Sequence, residues 1–325
     1  MATRYRCGYL DSFTELEARS GLERNLIFRF SFQDVEQMKI TLITACYNSA
    51  ETIGTAIESV LSQKGVDVEY IVVDGGSKDG TADIIKEYAD KTLNSQLLTP
   101  NFTFRWLSES DKGMYDAINK GIKIATGDIV GILNADDMFE SEDTLAHVVE
   151  AFGSGGVRSG GVEELRVESG GVESGGVGER VDCVYADIRF VKDDLQTTSR
   201  YYSAKHWKPW MLQWGKMPPH PSVYIRRELF DRYGVYKLGY DIAADYELLI
   251  RYLRMAKLNT RYLNECLVKM RMGGKSTRGW KSFKTLNREI VRGNLENGYF
   301  CCFPMLLPKY FFKVFEFILP RLGFK

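Results

Sequence analysis

The sequence predicts an α/β protein: an open, doubly wound, mostly parallel sheet flanked by helices, with a helical extension at the C-terminal end. Three observations lead there. Between residue 39 and about residue 150, short apolar or β-branched runs alternate with amphipathic stretches of helical period, the pattern of successive βα units. The 325 residues are 44% hydrophobic and 13% aromatic, enough for one large domain or two small ones and too apolar for wholesale disorder. Polar and glycine-rich turns follow the strand-like runs, where ligands of such sheets sit.

Taken in order, Lys39–Ala45 reads as a buried strand, and Glu51–Gln63 as a helix with Ile53, Ala56, Ile57, Val60 and Leu61 on one face. Val68–Val73 is a second strand, followed by a glycine-rich turn and a helix near Thr81–Tyr88. Phe102–Leu107 is the third strand, Met114–Ala125 a helix stopped by Gly127, and Asp128–Leu133 the fourth strand. Residues 153–180 then interrupt the pattern with four copies of Ser-Gly-Gly-Val. Glycine maximises the entropy cost of ordering and few large apolar groups offset it, so a flexible surface insertion without a function of its own is expected. Beyond it, Cys183–Val191 and Ser199–Tyr202 read as strands, Leu212–Pro221 as a loop, Ala243–Met255 as a helix, and Leu267–Met272 as a strand ending in Gly273-Gly274-Lys275-Ser276. The expected organisation is a non-core leader over 1–37 with Met38 as an alternative start, a core domain over 38–277, and a C-terminal extension over 278–325.

Charge and cysteine usage exclude several classes. Lys+Arg and Asp+Glu each number 43, so there is no cationic excess for a general nucleic-acid binder. Six cysteines without a C-x-x-C pair, and only three histidines, argue against a Cys/His zinc site. Adjacent Cys301 and Cys302 are poorly placed to pair with each other, which fits a reducing, cytoplasmic compartment. The first 37 residues lack a basic-then-apolar signal pattern. Phe303–Phe324 is too short and too charged to span a bilayer. It reads either as an amphipathic helix on a membrane surface, with Lys309, Lys313 and Arg321 at the head groups, or as a helix closing the core or a dimer contact.

The chemistry lies at the strand ends. No glycine stands between Lys39 and Ile53, which disfavours a dinucleotide fingerprint and leaves no phosphate loop after the first strand. Asp74, at the end of the second strand in Asp74-Gly75-Gly76-Ser77, is an exposed-turn carboxylate suited to a nucleobase N–H or ribose hydroxyls; Asp79 or Thr81 suits the cap of the next helix. After the fourth strand comes Asn134-Ala135-Asp136-Asp137. Continued strand alternation would put Asn134 and Asp136 on one side and Asp137 on the other. Oxygen ligands there suit a hard divalent cation, Mn(II) or Mg(II), that keeps waters and borrows diphosphate oxygens; the competing use is helix capping ahead of Ser141.

Four ordered segments, Thr44-Ala45-Cys46-Tyr47-Asn48, Val72–Thr81, Ser108–Gly121 and Leu133–Asp137, resemble family 2 glycosyltransferases, closely over 38–150 and more loosely over 183–277. The resemblance implies the GT-A fold and a nucleotide-diphosphate sugar donor, a UDP-sugar first among them. It implies that Asp74 recognises the nucleoside, with Thr44, Ala45, Tyr47, Asn48 and Gly76 in the same pocket, and that Asp111 and Lys112 pass near the diphosphate or donor sugar. Asn134 and Ala135 would border the donor and Asp136 would be the main metal ligand. Asn134 stands where the family commonly has an aspartate, so its own coordination is in question.

The family's base usually precedes a Tyr-x-Leu helix, which here reads Ala244-Asp245-Tyr246-Glu247-Leu248 and nominates Asp245; the competing role is a first-turn carboxylate on the helix dipole. Asp137, His220, Gly274 and Ser276 are donor or acceptor contacts by the same resemblance, His220 equally a buried hydrogen-bonded residue. Asp187 either faces an acceptor groove or closes a turn. The implied activity is metal-dependent inverting transfer to a glycan or lipid-linked acceptor at the inner face of a membrane, in surface polysaccharide synthesis. Alternatives are a catalytically degenerate nucleotide-sugar or glycan-binding protein and a sugar nucleotidyltransferase.

Overall fold

The computed structural model describes residues 38–94, 101–153, 180–272 and 279–310. The leader, most of the Ser-Gly-Gly-Val insertion, Gly274, Lys275, Ser276 and the end of the C-terminal extension lie outside the described residues.

Three strands open the sheet: β1 (Lys39–Cys46), β2 (Asp67–Asp74) and β3 (Phe102–Ser108), linked by helices α1 (Ile53–Leu61) and α2 (Thr81–Asn94). Helix α3 (Met114–Ile124) leads to β4 (Ile129–Ile132), which returns beside β1, so these four strands are parallel in the order β3-β2-β1-β4. Both faces of β1 and β2 are buried, as continuous apolar runs require. Ile40, Leu42, Tyr70 and Val72 face α1 and α2, packing with Ile53, Ile57 and Ile85. Ile43, Ile71 and Val73 face α3, packing with Tyr115, Ile118 and Ile122.

The second half closes on the first through antiparallel pairs. A two-residue β5 (Met138–Phe139) and α4 (Thr144–Gly153) follow β4. Strand β6 (Cys183–Val191) then carries the rest: β7 (Thr198–Tyr202) and β8 (Tyr224–Arg226) pair with it antiparallel, and β9 (Thr260–Arg271) pairs with it parallel. β8 bridges to β4, and β5 caps the far edge on β9. Parallel pairing predominates, with the predicted helices on both faces.

Several local readings change. Strand β9 starts at Thr260, not Leu267, because Thr260-Arg261-Tyr262-Leu263 pairs with Cys183–Ala186 although its own sequence is half polar. The predicted loop after Leu212 follows a 3₁₀ helix over Pro209–Trp214 and includes another over His220–Ser222. The predicted helix 243–255 divides into α6 (Ala244–Leu249) and a π-helical turn over Ile250–Met255, where Ala256 N–H reaches the Arg251 carbonyl at 2.9 Å. Helices α5 (Glu228–Tyr233) and α7 (Gly279–Glu296) complete the described elements named here.

Gly131 marks the tightest seam between the two halves. A Cβ there would stand 2.6 Å from Cδ1 of Tyr224, whose ring is fully buried and cannot swing away. Gly131→Ala is therefore expected to destabilise the protein by about 1–3 kcal/mol through overpacking, read as a lower urea midpoint at unchanged m-value.

Candidate functional site

Strand register brings Cys46, Asp74 and Ser108 side by side at the carboxyl edge of the sheet. Asp74 is fully buried there. Its carboxylate accepts from Ser108 Oγ at 2.6 Å, from the Ser77 amide at 3.1 Å and from the Ser77 hydroxyl. Asp74 thus shapes the turn after β2 from beneath. Burial first, then the charge of Asp74, pushes the Cys46 thiol up, so that thiol stays protonated.

The loops above are stitched to one another. Asn48, at φ 49°, donates its amide to Ser77 Oγ (2.8 Å) and accepts the Lys78 amide on Oδ1 (3.0 Å). Asp79 accepts the Ala50 amide (3.0 Å) and the amide and hydroxyl of Thr81, so it joins the first loop to the start of α2. Those bonds, that of the Thr81 hydroxyl foremost, hold its carboxyl below the usual range. Asp79 is thus the helix cap that the sequence suggested. Thr44 is buried and accepts from Tyr70 OH at 3.1 Å, away from any open surface. Ala45 is half-buried and Tyr47 is 60% exposed at the rim. Asp111 lies directly over Gly75, where a Cβ would have no room, and takes the Gly113 amide at 2.7 Å. Gly76 adopts φ 81°, and Lys112 is exposed beside Asp111.

After β4 the chain turns at once, so the predicted alternation of Asn134, Asp136 and Asp137 does not hold. Asp137 N–H returns to the Asn134 carbonyl at 3.1 Å, and Asn134 Nδ2 donates to Asp137 Oδ2 at 2.7 Å. Asn134 is thereby committed to Asp137, Ala135 is buried, and Asp136 is half-buried. Arg271, at the end of β9, braces the turn by donating to the Asp136 carbonyl at 3.1 Å. Asp137 is buried, and its Oδ1 has no hydrogen-bond partner. Burial, then the charge of Asp136, pushes its carboxyl well up, with Asn134 and Arg271 offsetting part.

An orphaned carboxylate oxygen beside a second carboxylate fits a cation. Among the described residues no group of three His, Cys, Asp or Glu side chains is arranged to hold a metal unaided. This suits a hard divalent ion that takes one or two carboxylates from the protein and the rest from water and phosphate.

On the opposite side stands Asp245, in the first turn of α6. Just before that turn, Glu289 of α7 accepts the amides of Asp241, Ile242 and Ala243 at 2.8–2.9 Å and so fixes the approach to α6. Asp245 Oδ1 accepts from the Tyr246 amide at 2.7 Å and, as the longer arm of a hydroxyl that donates first to the Ile242 carbonyl at 2.5 Å, from Tyr115 OH at 3.3 Å. Tyr115 belongs to α3, just after the Asp111-Lys112-Gly113 loop, so one side chain ties that loop to Asp245. Its ring stacks on Tyr236 at 5.7 Å, and Tyr236 OH bonds His220 Nε2 at 2.7 Å. Burial raises the Asp245 carboxyl and lowers the His220 imidazole, and their mutual attraction opposes both shifts. Burial thus makes Asp245 a stronger proton acceptor than a solvated carboxylate and His220 a weaker one than a solvated imidazole.

Asp187, left open by the sequence, closes a turn: it accepts from Ala204 N, Tyr262 OH and Tyr201 OH at 2.7–2.9 Å. A separate cleft of about 440 Å³ between α3 and α5, lined by residues such as Asp116, Asn119 and Arg227, includes none of the predicted site residues. Sequence reasoning gave no role to Ser77, Ser108, Tyr115, Tyr236, Glu289 or Arg271. Ser77, Ser108 and Tyr115 had a signal, standing inside the Val72–Thr81 and Ser108–Gly121 runs.

Residues 41–160 match the family model described as Glycosyl transferase family 2. The PGL/p-HBAD biosynthesis glycosyltransferase of Mycobacterium bovis (strain BCG / Pasteur 1173P2) is 28% identical over 224 residues, 69% of this chain and 73% of that relative. Among solved structures, S. aureus TarS 1-349 in complex with UDP-GlcNAc aligns with TM-score 0.53 at 18% identity, covering 79% of this chain and 67% of that one. The mannosyltransferase PcManGT from Pyrobaculum calidifontis, in complex with GDP-Man and Mn2+, aligns with TM-score 0.52 at 20% identity, covering 81% and 64%. At such identities these structures speak for the fold.

Proposed function

We propose that this chain, whose residues 41–160 match the glycosyl transferase family 2 model and whose fold is GT-A, is an enzyme that moves a hexose from a nucleotide-diphosphate sugar to a glycan or lipid-linked acceptor, with inversion, in cell-envelope polysaccharide synthesis. The observation that carries this reading is the placing of Asp245. A single carboxylate made more basic by burial sits in the first turn of α6, in contact through Tyr115 with the helix that follows the Asp111-Lys112-Gly113 loop. It would take the acceptor hydroxyl proton as that oxygen attacks the anomeric carbon from the face opposite the diphosphate.

On the donor side, the loops after β1 and β2 form a floor fixed by Asn48, Ser77 and Asp79. Tyr47 at the rim is free to stack on a base. Asp74, Thr44 and Gly76 act through the shape of that floor, and Asp111 and Lys112 border the phosphates. Asp136, with Asp137 behind it, would hold a divalent cation, which when bound neutralises charge on the departing diphosphate. The bound molecules of the two solved relatives, UDP-GlcNAc and GDP-Man with Mn2+, support a nucleotide-sugar donor and a divalent ion. A UDP-sugar is the favoured donor, and the cytoplasmic face of a membrane the favoured place of action.

Thermal unfolding with a panel of nucleoside diphosphates, each with and without Mn(II), tests the reading. Ligand at about 100 times its dissociation constant adds about 2.7 kcal/mol, a shift of several degrees. A shift that needs both one nucleotide and Mn(II) is expected. No shift with any nucleotide would replace the enzyme with a catalytically degenerate glycan-binding protein.

A further inference from the structure

Three segments far apart in sequence meet on one surface. The 3₁₀ helix Pro209–Trp214 is joined to the chain after α7 by Gln213 Nε2, which donates to the Phe300 carbonyl at 2.6 Å, and by Cys301 Sγ, which lies 3.4 Å from the Gln213 carbonyl. Lys309 lies against Gly215, where an added Cβ would come 2.7 Å from its Cδ. The first turn of α7 joins through Phe283, whose ring stacks on Trp280 at 5.0 Å and contacts Phe303 at 6.4 Å and Tyr310 at 5.1 Å.

On this surface large apolar groups stand in solvent. Trp280 and Phe300 are each 70% exposed and Trp210 is 56% exposed, with Trp214, Phe303 and Leu307 also exposed. Three of the protein's five tryptophans are here. The charge is equally one-sided. Residues 207–216, 279–288 and 297–310 contain Lys208, Lys216, Lys281, Lys284, Arg288 and Lys309 and no aspartate or glutamate, in a chain whose formal net charge is zero. Lys281, Lys284 and Arg288 follow at i, i+3 and i+7, so they share one exposed face of α7 beside Trp280.

We propose that this surface is a docking site for an anionic lipid bilayer. Exposed tryptophans ringed by lysine and arginine match the interfacial zone, where the indole seats at head-group depth and the cations meet lipid phosphates. An anionic leaflet uses both features, the exposed aromatic groups and the one-sided positive charge. The docking works from folded elements that do not span: among the described residues no helix is long and apolar enough to cross a membrane. It also bears on the site above, because α7 supplies Glu289 to the end of α6 that carries Asp245, and Tyr246 OH donates to the carbonyl of Leu212. The segments that carry Trp210 and Trp280 are therefore hydrogen-bonded to α6 and to the residues just before it. The docking itself goes beyond the transfer reaction and is read without donor, acceptor or metal.

The test is flotation of the full chain with vesicles of phosphatidylglycerol and phosphatidylcholine in equal parts, against phosphatidylcholine alone. Binding to the anionic vesicles, weakened by salt, is expected. Replacing Lys281, Lys284 and Arg288 together by glutamine should lower the partition coefficient about a hundredfold, at about fivefold per charge near the surface. Trp210→Ser with Trp280→Ser should lower it as well while leaving nucleotide-induced thermal shifts unchanged. Failure to float with anionic vesicles would overturn the proposal. So would flotation that both sets of substitutions leave intact, since the contact would then lie elsewhere. A wild-type dimer that these substitutions split, with no lipid binding, would reassign the surface to a contact between two copies.

Discussion

Asp245→Asn is expected to abolish sugar transfer, lowering kcat by about 10²–10⁴-fold, while nucleotide binding stays close to normal. The substitution keeps the shape of the side chain. The amide oxygen can still accept from the Tyr246 amide, now at 2.7 Å, and from Tyr115 OH, now at 3.3 Å. What it cannot do is take a proton. The pH dependence carries the same signature. Burial raises the Asp245 carboxyl above the ordinary carboxylate range, with His220 opposing, so transfer should rise with pH through that raised value and then level off.

The sign for stability runs the other way. A folded-state pKa above the unfolded one contributes stability that is complete below the unfolded value and lost as pH rises through the folded value. Above that raised value the ionised carboxylate is therefore a burden on the fold, and the neutral asparagine should there melt no lower than wild type. Near-normal transfer by Asp245→Asn, with acceptor present, would remove Asp245 from the mechanism. A depressed melting temperature would show instead that the carboxylate is needed to hold α6.

The N-terminal half was legible because its signals are local. Ile40, Leu42, Tyr70 and Val72 on one face and Ile43, Ile71 and Val73 on the other follow from strand period alone. Once the sheet is parallel, register aligns Cys46, Asp74 and Ser108 without further information. The unread parts depend on contacts across the chain. Strand β8 has three residues and exists because it fits between β4 and β6. The segment leading into α6 is held by Glu289, some forty residues away in sequence, and no local pattern announces it. Asn134 and Asp137 were assigned to opposite faces by extending a strand that in fact ends at Ile132. The glycine-rich loop after Asp74 suggests an exposed ligand group, yet Asp74 is fully buried and Ser77 and Ser108 hold its carboxylate through three hydrogen bonds. The tertiary environment, and not residue type, decides which carboxylates remain available.

That distinction gives the second large effect, for Asp136→Ala. Of the Asn134-Ala135-Asp136 run, Asn134 is committed through its amide to Asp137 and Ala135 is buried, which leaves Asp136 as the accessible carboxylate. Behind it the Oδ1 of Asp137 is buried without a hydrogen-bond partner, and burial beside Asp136 pushes that carboxyl well up, so a cation at Asp136 would also favour its ionised form. A divalent cation should bind nucleotide and protein together mainly through Asp136. Its loss should erase the Mn(II)-dependent part of the nucleotide-induced thermal shift, about 2.7 kcal/mol at saturating ligand, and lower transfer about a hundredfold or more. The metal-free protein should melt nearly as before, because a half-exposed side chain with its backbone carbonyl still held by Arg271 contributes little to the fold, within about 0.5 kcal/mol. The two substitutions then separate the two halves of the proposed site. Asp245→Asn silences transfer and keeps the metal-dependent shift, whereas Asp136→Ala removes both. An Asp136→Ala protein that retained the full Mn(II) increment would place the cation elsewhere and leave the unsatisfied Asp137 oxygen as a feature of the fold alone.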